Sequence, residues 1–384
     1  MSAPRTGPSS NGPGSKSSGP KGPSRVVVKI GSASVTGPDG GIDAAVIGSL
    51  CDELVALRRS GWAVVVVTSG AISTGWQAMG GGARPTDLAT LQAVSAIGQH
   101  RLMRAYDDAL TTRGLMAGQV LLAPLDFVHR RQYLHARQTL ERLLQLDVVP
   151  VVNENDATSD DEIRFGDNDR LAALVAHLVS AELLVLLTDT PGLLSSDPRL
   201  AAEASLIEEV TEIDHELEQM AGPGGALGSG GMVSKLAAAK MATWSGVAVV
   251  IADASRPGVV QAAVAREPGV GTSFRPHERR LPARKLWIAF AVGASGTLVV
   301  DSGAHRALTE REASLLPAGV TEVRGRFVAD DAVEIVGPDG RIFAKGLVRH
   351  DSASVASWAG LRSGDLPLGI SPELVHRDDL VLIA

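Results

Sequence analysis

Cysteine is nearly absent from this chain: Cys51 is the one thiol in 384 residues, so no intramolecular disulfide and no thiolate cluster can form. Cys51 lies in a stretch of helical periodicity and reads as a buried structural thiol. The nine histidines show no pairing at metal-ligand spacing, which removes a protein-held zinc centre; any metal arrives with a substrate. No stretch reaches the roughly 18 uninterrupted apolar residues of a membrane helix, because Asp, Arg or Gly interrupts each candidate. The first 23 residues, mostly Gly, Pro and Ser with a few Lys, lack the apolar centre of a signal peptide. A soluble, cytoplasmic protein with no membrane contact follows, and residues 1–23 are expected as a disordered tail. An internal repeat, the Walker A pattern GxxxxGK followed by Ser or Thr, and the GxGxxG dinucleotide fingerprint are also missing.

Positive charge is in short supply too. The net charge of −7 divides into +3 over residues 1–24, −10 over 25–274 and zero over 275–384. A body of that sign repels a phosphate backbone, so nucleic acid is not the expected ligand of the larger part. What the chain does have is apolar material, 45% of its residues, enough for more than one sizeable core.

From Arg25 to Phe274, short β-branched runs alternate with longer amphipathic ones. Residues 25–30, 63–68, 148–152, 183–188 and 247–251 read as buried parallel strands, and 43–60, 87–113, 130–146 and 231–245 as crossover helices. The expected fold class is therefore α/β, an open, mainly parallel sheet with helices on both faces. Ligands of such sheets collect outside the carboxyl ends of the strands. Beyond Phe274 a basic linker holding Pro276 and Pro282 leads into short strands, expected at 286–292, 297–301, 332–336 and 342–348. Gly337-Pro338-Asp339-Gly340 sits where a hairpin turn belongs, and few helices are apparent. The expected division is a tail over 1–23, an α/β domain over 24–275, a linker over 276–283 and a small, mostly β domain over 284–384.

Four polar or Gly-rich segments follow the ends of expected strands. In VVVKIGSAS, Lys29 closes a strand and small residues then expose backbone N–H groups to an anion; an ordinary turn has the same composition. In VTSGAIS, Ser69 either donates to a substrate carboxylate or caps the next helix. Residues 151–174 crowd Asn153, Glu154, Asn155, Asp156, Asp160, Asp161, Glu162, Asp167, Asn168 and Asp169 between a strand and a helix. Carboxylates and amides in that density suit a zwitterionic amino acid, and equally a solvated acidic loop. In the last pair, LLTDTPGL ends a strand at Thr188 and Asp189, and GALGSGGMVSKLAAAK sets a Gly-rich loop before a helix with Lys235 in its first turn. That arrangement either holds a nucleotide's phosphates or is a flexible connector. His376-Arg377-Asp378 spells a protein-kinase triplet without any of its companion motifs and is set aside.

Taken in order, VVKIGSAS, VVVTSGAIS, PVVNENDA, FGDNDRLAA, LLTDTPGL and GSGGMVSKLAAA closely resemble the glutamate-phosphorylating branch of the amino-acid kinase family. The segment after about Pro282 looks like the PUA domain that many bacterial members carry. The resemblance implies ATP-dependent phosphorylation of the γ-carboxylate of L-glutamate to L-glutamyl 5-phosphate, the first step of proline biosynthesis, with ATP and Mg2+ required. It implies Lys29 and Lys235 on opposite sides of the transferring phosphoryl group, oriented by Asp169, and Mg2+ bridging the nucleotide phosphates. Glutamate is implied at Ser69, Asp156 and Asn168. ATP is implied at Lys29, Thr188 and Asp189 and along Ser229, Gly230, Gly231, Met232, Val233, Ser234 and Lys235. Ser229 and Val233 stand where relatives often carry Thr and a hydroxyl residue. Proline as feedback inhibitor, a separate glutamyl phosphate reductase as possible partner and a homo-oligomer belong to the same implication. Aspartate, acetylglutamate, carbamate and UMP kinases share the strand-end lysine and Gly-rich loops. A reading from another class is RNA binding through a basic face of Arg324, Arg326, Arg341, Lys345 and Arg349, residues that could equally be an ordinary solvated surface.

Overall fold

The computed structural model describes residues 23–383 apart from 124, 159–167, 197–203, 215–216, 218–219, 221–230, 279 and 368. Residues 1–22 of the expected tail lie outside the described residues, as do Asp160, Asp161, Glu162, Asp167, Ser229 and Gly230.

Eight strands form the first sheet: β1 (Arg25–Ile30), β2 (Ala63–Val67), β3 (Met116–Leu122), β4 (Val148–Glu154), β5 (Leu183–Thr188), β6 (Glu209–Val210), β7 (Ala248–Asp253) and β8 (Thr272–Phe274). Their order is β3-β4-β2-β1-β5-β7-β8-β6, and every pairing is parallel except β7 with β8. The strands β1, β2 and β5 are continuous apolar runs because helices cover both faces, and apart from half-buried Arg25 all their residues are buried. The helices that follow in chain order are α1 (Ser32–Val35), α2 (Ala44–Arg59), α3 (Ala71–Ala78), α4 (Leu88–Thr111), α5 (Leu125–Val128), α6 (Arg130–Gln145), α7 (Asn168–Leu178), α8 (Met232–Trp244) and α9 (Val259–Ala265). Two of them start at an aspartate cap. Asp43 accepts from the N–H groups of Ala45 and Val46 ahead of α2, and Asp87 from Thr90 ahead of α4.

The chain leaves β1 toward β2 on one side and later enters β5 on the other, so the order of strands reverses at β1. Lys29 pairs across to Val67 and Leu186, which puts its side chain one residue from the carboxyl end of the central strand. A crevice at that point is where a doubly wound sheet takes its ligand. Helices α3 and α4 touch there through their backbones. A Cβ on Gly75 would lie 1.8 Å from the Val94 carbonyl oxygen, and one on Gly98 1.7 Å from that of Ala71. Only glycine permits the approach.

The C-terminal part holds α10 (Ala283–Leu286), a π-helical turn over Trp287–Ala291, β9 (Gly296–Val300), α11 (Ser302–Arg311), β10 (Val320–Gly325), β11 (Ala332–Val336), β12 (Ile342–Val348), α12 (Ser352–Trp358) and β13 (Val375–Leu382). Its five-stranded sheet runs β10-β9-β11-β12-β13, parallel only between β9 and β11. The hairpin at 337–340 is as expected: Gly340 N–H bonds the Gly337 carbonyl between antiparallel β11 and β12.

Three expectations need correction. The run 286–292 is not a strand but the end of α10 and the π-helical turn. A short, wholly apolar run buried on all sides has no period to distinguish strand from helix. Helices are also less scarce here than expected, since Asp301 caps α11 and Asp351 caps α12. The proposed basic face does not form as one unit. Lys345 is turned inward with its ammonium on the Val292 carbonyl, and Arg324 and Arg349 are paired to Glu322 and Glu373. Strand β3 was not foreseen, because its half-exposed edge position leaves MAGQVLL without a clear alternation.

The two sheets do not pack independently. Ala332, Leu347 and Val381 of the C-terminal sheet join one apolar cluster with Leu171 and Leu174 of α7 and Leu286, Trp287 and Ile288. Lys345 lies at the same junction, and burial there pushes its pKa down to about 8, against the favourable charge of Glu334 and with Arg170 adding to the depression. Between about pH 8 and the unfolded-chain value of 10.5 the unfolded chain holds more protons at this site, so Lys345 makes unfolding harder as pH rises through that window. Burial holds the Cys51 thiol up at about 12 and acts in the opposite sense, so the difference between variants is the useful quantity. Wild type minus Lys345→Met, followed by denaturant unfolding from pH 7.5 to 10.5, is expected to rise by up to about 3 kcal/mol; a flat difference would mean that Lys345 is not buried as a charge.

Candidate active site

Three elements deliver three charged side chains to one point. Lys29 comes from β1, Asp169 from the first turn of α7 and Lys235 from the first turn of α8. Lys29 Nζ lies 2.5 Å from Asp169 Oδ1, and Lys235 Nζ lies 3.3 Å from Asp169 Oδ2. All three are buried, Asp169 completely. The carboxylate is further favoured by its place at a helix N-terminus. Two ammonium groups against one carboxylate leave this trio with a net positive charge in a site sheltered from water. Gly31 lies beside this ammonium, and a Cβ there would make an ordinary van der Waals contact with Lys29 Nζ at 3.7 Å.

Beside the trio lies a set of amides and hydroxyls. Asn168 Nδ2 faces the Thr68 carbonyl at 2.5 Å, Asn153 Oδ1 at 2.6 Å and Ser69 Oγ at 2.9 Å. Ser69 therefore does not cap α3. The cap position is Gly70, at φ +104, with no side-chain hydrogen bond. A side chain there would be strained and would also press on Val35 and Thr36. Thr68 is pinned in turn by the buried hydroxyl of Tyr106 at 2.9 Å, whose pKa burial raises. Asp156 accepts from Ser95 Oγ at 3.1 Å.

Of the nucleotide residues named from the sequence, Lys29 is on β1, and Thr188, Asp189 and the run from Gly231 to Lys235 fall on the β5 side of it. Thr188 ends β5, buried, and its hydroxyl donates to Asp189 Oδ1 at 3.1 Å. Gly231 is the N-cap of α8 and brings no side chain to its first turn, which suits an anion at that end. Ser234 is buried with Lys235, Met232 is half-buried against the core, and Val233 points outward. The structure thus brings together Lys29, Asp169 and Lys235, and separately Ser69 with Asn168. It links Asp156 to α4 and keeps Thr188 with Asp189.

Sequence reasoning missed the supports: Thr68, Tyr106, and two residues of α4, Ser95 and Gln99, and it named Asn153 only as one of a crowd. Gln99 Oε1 accepts from Asn153 Nδ2 at 2.7 Å. A signal existed. Ser95 and Gln99 sit at helical spacing on the stripe that also carries Val94, Gly98 and Leu102, all buried, and polar residues on an apolar stripe call for partners.

A sequence model described as the amino acid kinase family matches residues 24–253. The chain belongs to that family. A PUA domain model matches residues 296–366. Among curated relatives, glutamate 5-kinase of Rhodococcus opacus is 46% identical over 93% of this chain and 96% of its own length. Glutamate 5-kinase of Frankia casuarinae is 46% identical over 94% and 96%. A crystal structure of UMP kinase from Bacillus anthracis aligns at 13% identity and TM-score 0.47, covering 67% of this chain and 97% of that one. The amino acid kinase match spans the trio and the amide set alike, and stops at Asp253, where β7 ends.

Replacing Asp169 by Asn keeps the volume and removes the charge between the two ammonium groups. Breaking such a buried arrangement on one side costs about 3–5 kcal/mol. Chemical denaturation of Asp169→Asn is expected to show a loss of that order; a loss below about 1 kcal/mol would mean that the carboxylate does not hold the lysines.

Proposed function

We propose that this amino acid kinase transfers the γ-phosphoryl group of ATP to the γ-carboxylate of L-glutamate, giving L-glutamyl 5-phosphate and ADP, and so opens proline biosynthesis. The observation that carries the reading is the buried Lys29–Asp169–Lys235 trio. The glutamate 5-kinase names of relatives at 46% identity over most of both chains support the choice of acceptor.

A carboxylate oxygen is already a nucleophile at neutral pH, so the reaction needs no general base. It forms one O–P bond and breaks another, and the electrons of the broken bond leave with ADP. What remains for the protein is alignment and neutralisation of the charge spread over the transferring group. Lys29 and Lys235 supply compact positive charge from two directions, and Asp169 fixes where those charges stand. Because β1, α7 and α8 are packed elements, little reorganisation accompanies the transfer.

On this reading the amino acid lies over Ser69, Asp156 and Asn168, and the nucleotide over Thr188, Asp189 and the start of α8 from Gly231 to Lys235. On the same reading Mg2+ would enter with the nucleotide and would supply positive charge to its phosphates; among the described residues no group of three or more His, Cys, Asp or Glu side chains forms a metal site. The same reading takes in proline as a feedback inhibitor, a separate reductase as consumer of the labile acyl phosphate, and a homo-oligomeric enzyme.

Hydroxylamine traps an acyl phosphate as a hydroxamate. Purified protein with Mg-ATP and L-glutamate is expected to yield it, and Lys235→Ala to lower the rate by about two to three orders of magnitude. Aspartate or acetylglutamate giving product in place of glutamate would overturn the substrate assignment, and no product from any of the three would overturn the kinase reading.

A further inference from the structure

The turn from β2 into α3 contains two hydroxyl groups, Thr68 and Ser69, whose hydrogen-bond polarity follows from their partners. An amide nitrogen only donates, so Ser69 Oγ accepts from Asn168 Nδ2 at 2.9 Å. The Ser69 hydroxyl proton is thereby directed elsewhere, and among the described residues none accepts it. Ser69 is half-buried, within reach of a ligand. Thr68 Oγ1 also carries a single proton, and the Ser69 carbonyl 3.3 Å away can only accept it. With that proton committed, the 2.9 Å contact between Thr68 Oγ1 and the Tyr106 hydroxyl runs from Tyr106 to Thr68.

Thr68 is therefore held on three sides. Its hydroxyl receives Tyr106, its N–H donates to the Val152 carbonyl of β4 at 2.9 Å, and its carbonyl receives Asn168 Nδ2. Tyr106 and Thr68 have no exposure to water, so a hydroxyl deprived of its partner there has no solvent to turn to. Tyr106 stands on α4, 38 residues along the chain from Thr68. The close crossing of Gly98 with Ala71 and Gly75 ties α4 to the start of α3, next to the same turn.

We propose that Tyr106 is a positioning residue for the amino-acid substrate. Its hydroxyl holds Thr68; Thr68 holds the Ser69 carbonyl through its side chain and Asn168 through its backbone; Ser69 is thereby set to donate its proton to a substrate carboxylate. The inference rests on the reading above, which lays glutamate over Ser69 and Asn168, and adds the support from which that surface is held. A core tyrosine whose hydroxyl merely found a partner would affect stability and leave substrate affinity alone.

Tyr106→Phe deletes one oxygen and keeps the ring. It is expected to raise KM for glutamate by about fivefold or more, with KM for Mg-ATP within about twofold of wild type. Thr68→Val removes Oγ1 and keeps the backbone carbonyl, and is expected to shift the same constant in the same direction. The double variant is expected to be no worse than Thr68→Val alone, because the bond that Tyr106→Phe breaks is already gone. A glutamate KM within about twofold of wild type in the folded variants overturns the inference, as does a fall in kcat alone or an equal rise in both KM values. If Tyr106→Phe does not fold, Thr68→Val carries the test. Wild type that turns over no glutamate would instead overturn the parent reading, and this inference with it; wild type with normal turnover and variants with an unchanged glutamate KM would overturn the inference alone.

Discussion

One buried carboxylate held between two ammonium groups sets the terms for the rest of this structure. Asp169 has no exposure to water, and its two partners are nearly as enclosed. Charges cannot be stripped of solvent at that depth unless their partners stand within hydrogen-bonding reach. Strand β1, helix α7 and helix α8 therefore have to meet at one place, and the order of strands, which reverses at β1, is what lets them do so.

Helix α7 links that constraint to the rest of the fold. Its first turn carries Asn168 toward the amide set and Asp169 toward the lysines. Its later turns, through Leu171 and Leu174, share a core with the π-helical turn and with Ala332, Leu347 and Val381 of the C-terminal sheet. The PUA sheet thus shares an apolar cluster with the helix that carries Asn168 and Asp169. Inward-facing Lys345, with Arg170 close enough to depress its pKa, marks that junction electrostatically. Family membership says what kind of reaction to expect, whereas the substrate is a matter of the site's own side chains.

The parts of this arrangement that were legible in sequence are those with a local signature. Continuous valine runs gave the central strands, amphipathic periodicity gave the crossover helices, and Gly-Pro-Asp-Gly gave a hairpin. Lys29 and Lys235 stood out because each sits beside a Gly-containing turn, at a strand end and a helix start, whereas Asp169 was one of ten crowded polar residues and took its role from the family resemblance. Less visible were features that depend on what lies across a contact. Edge strand β3 has no clean alternation, and the run 286–292 has no period at all. Ser95 and Gln99 are separated from Asp156 and Asn153 by 61 and 54 residues; pairing them needed the Gly75–Gly98 helix crossing, which no local pattern encodes. Lys345 looked like one of a row of surface cations until the packing of the two sheets placed it inside.

The central claim is that the transferring phosphoryl group passes between the ammonium groups of Lys29 and Lys235. A crystal structure with L-glutamate, ADP and a planar metal-fluoride mimic of the phosphoryl group tests it most directly. The account predicts the mimic between the two lysines, each Nζ about 2.7–3.2 Å from a fluoride, with the glutamate side-chain carboxylate in line. A mimic bound away from either lysine, or in line with no carboxylate, would contradict it.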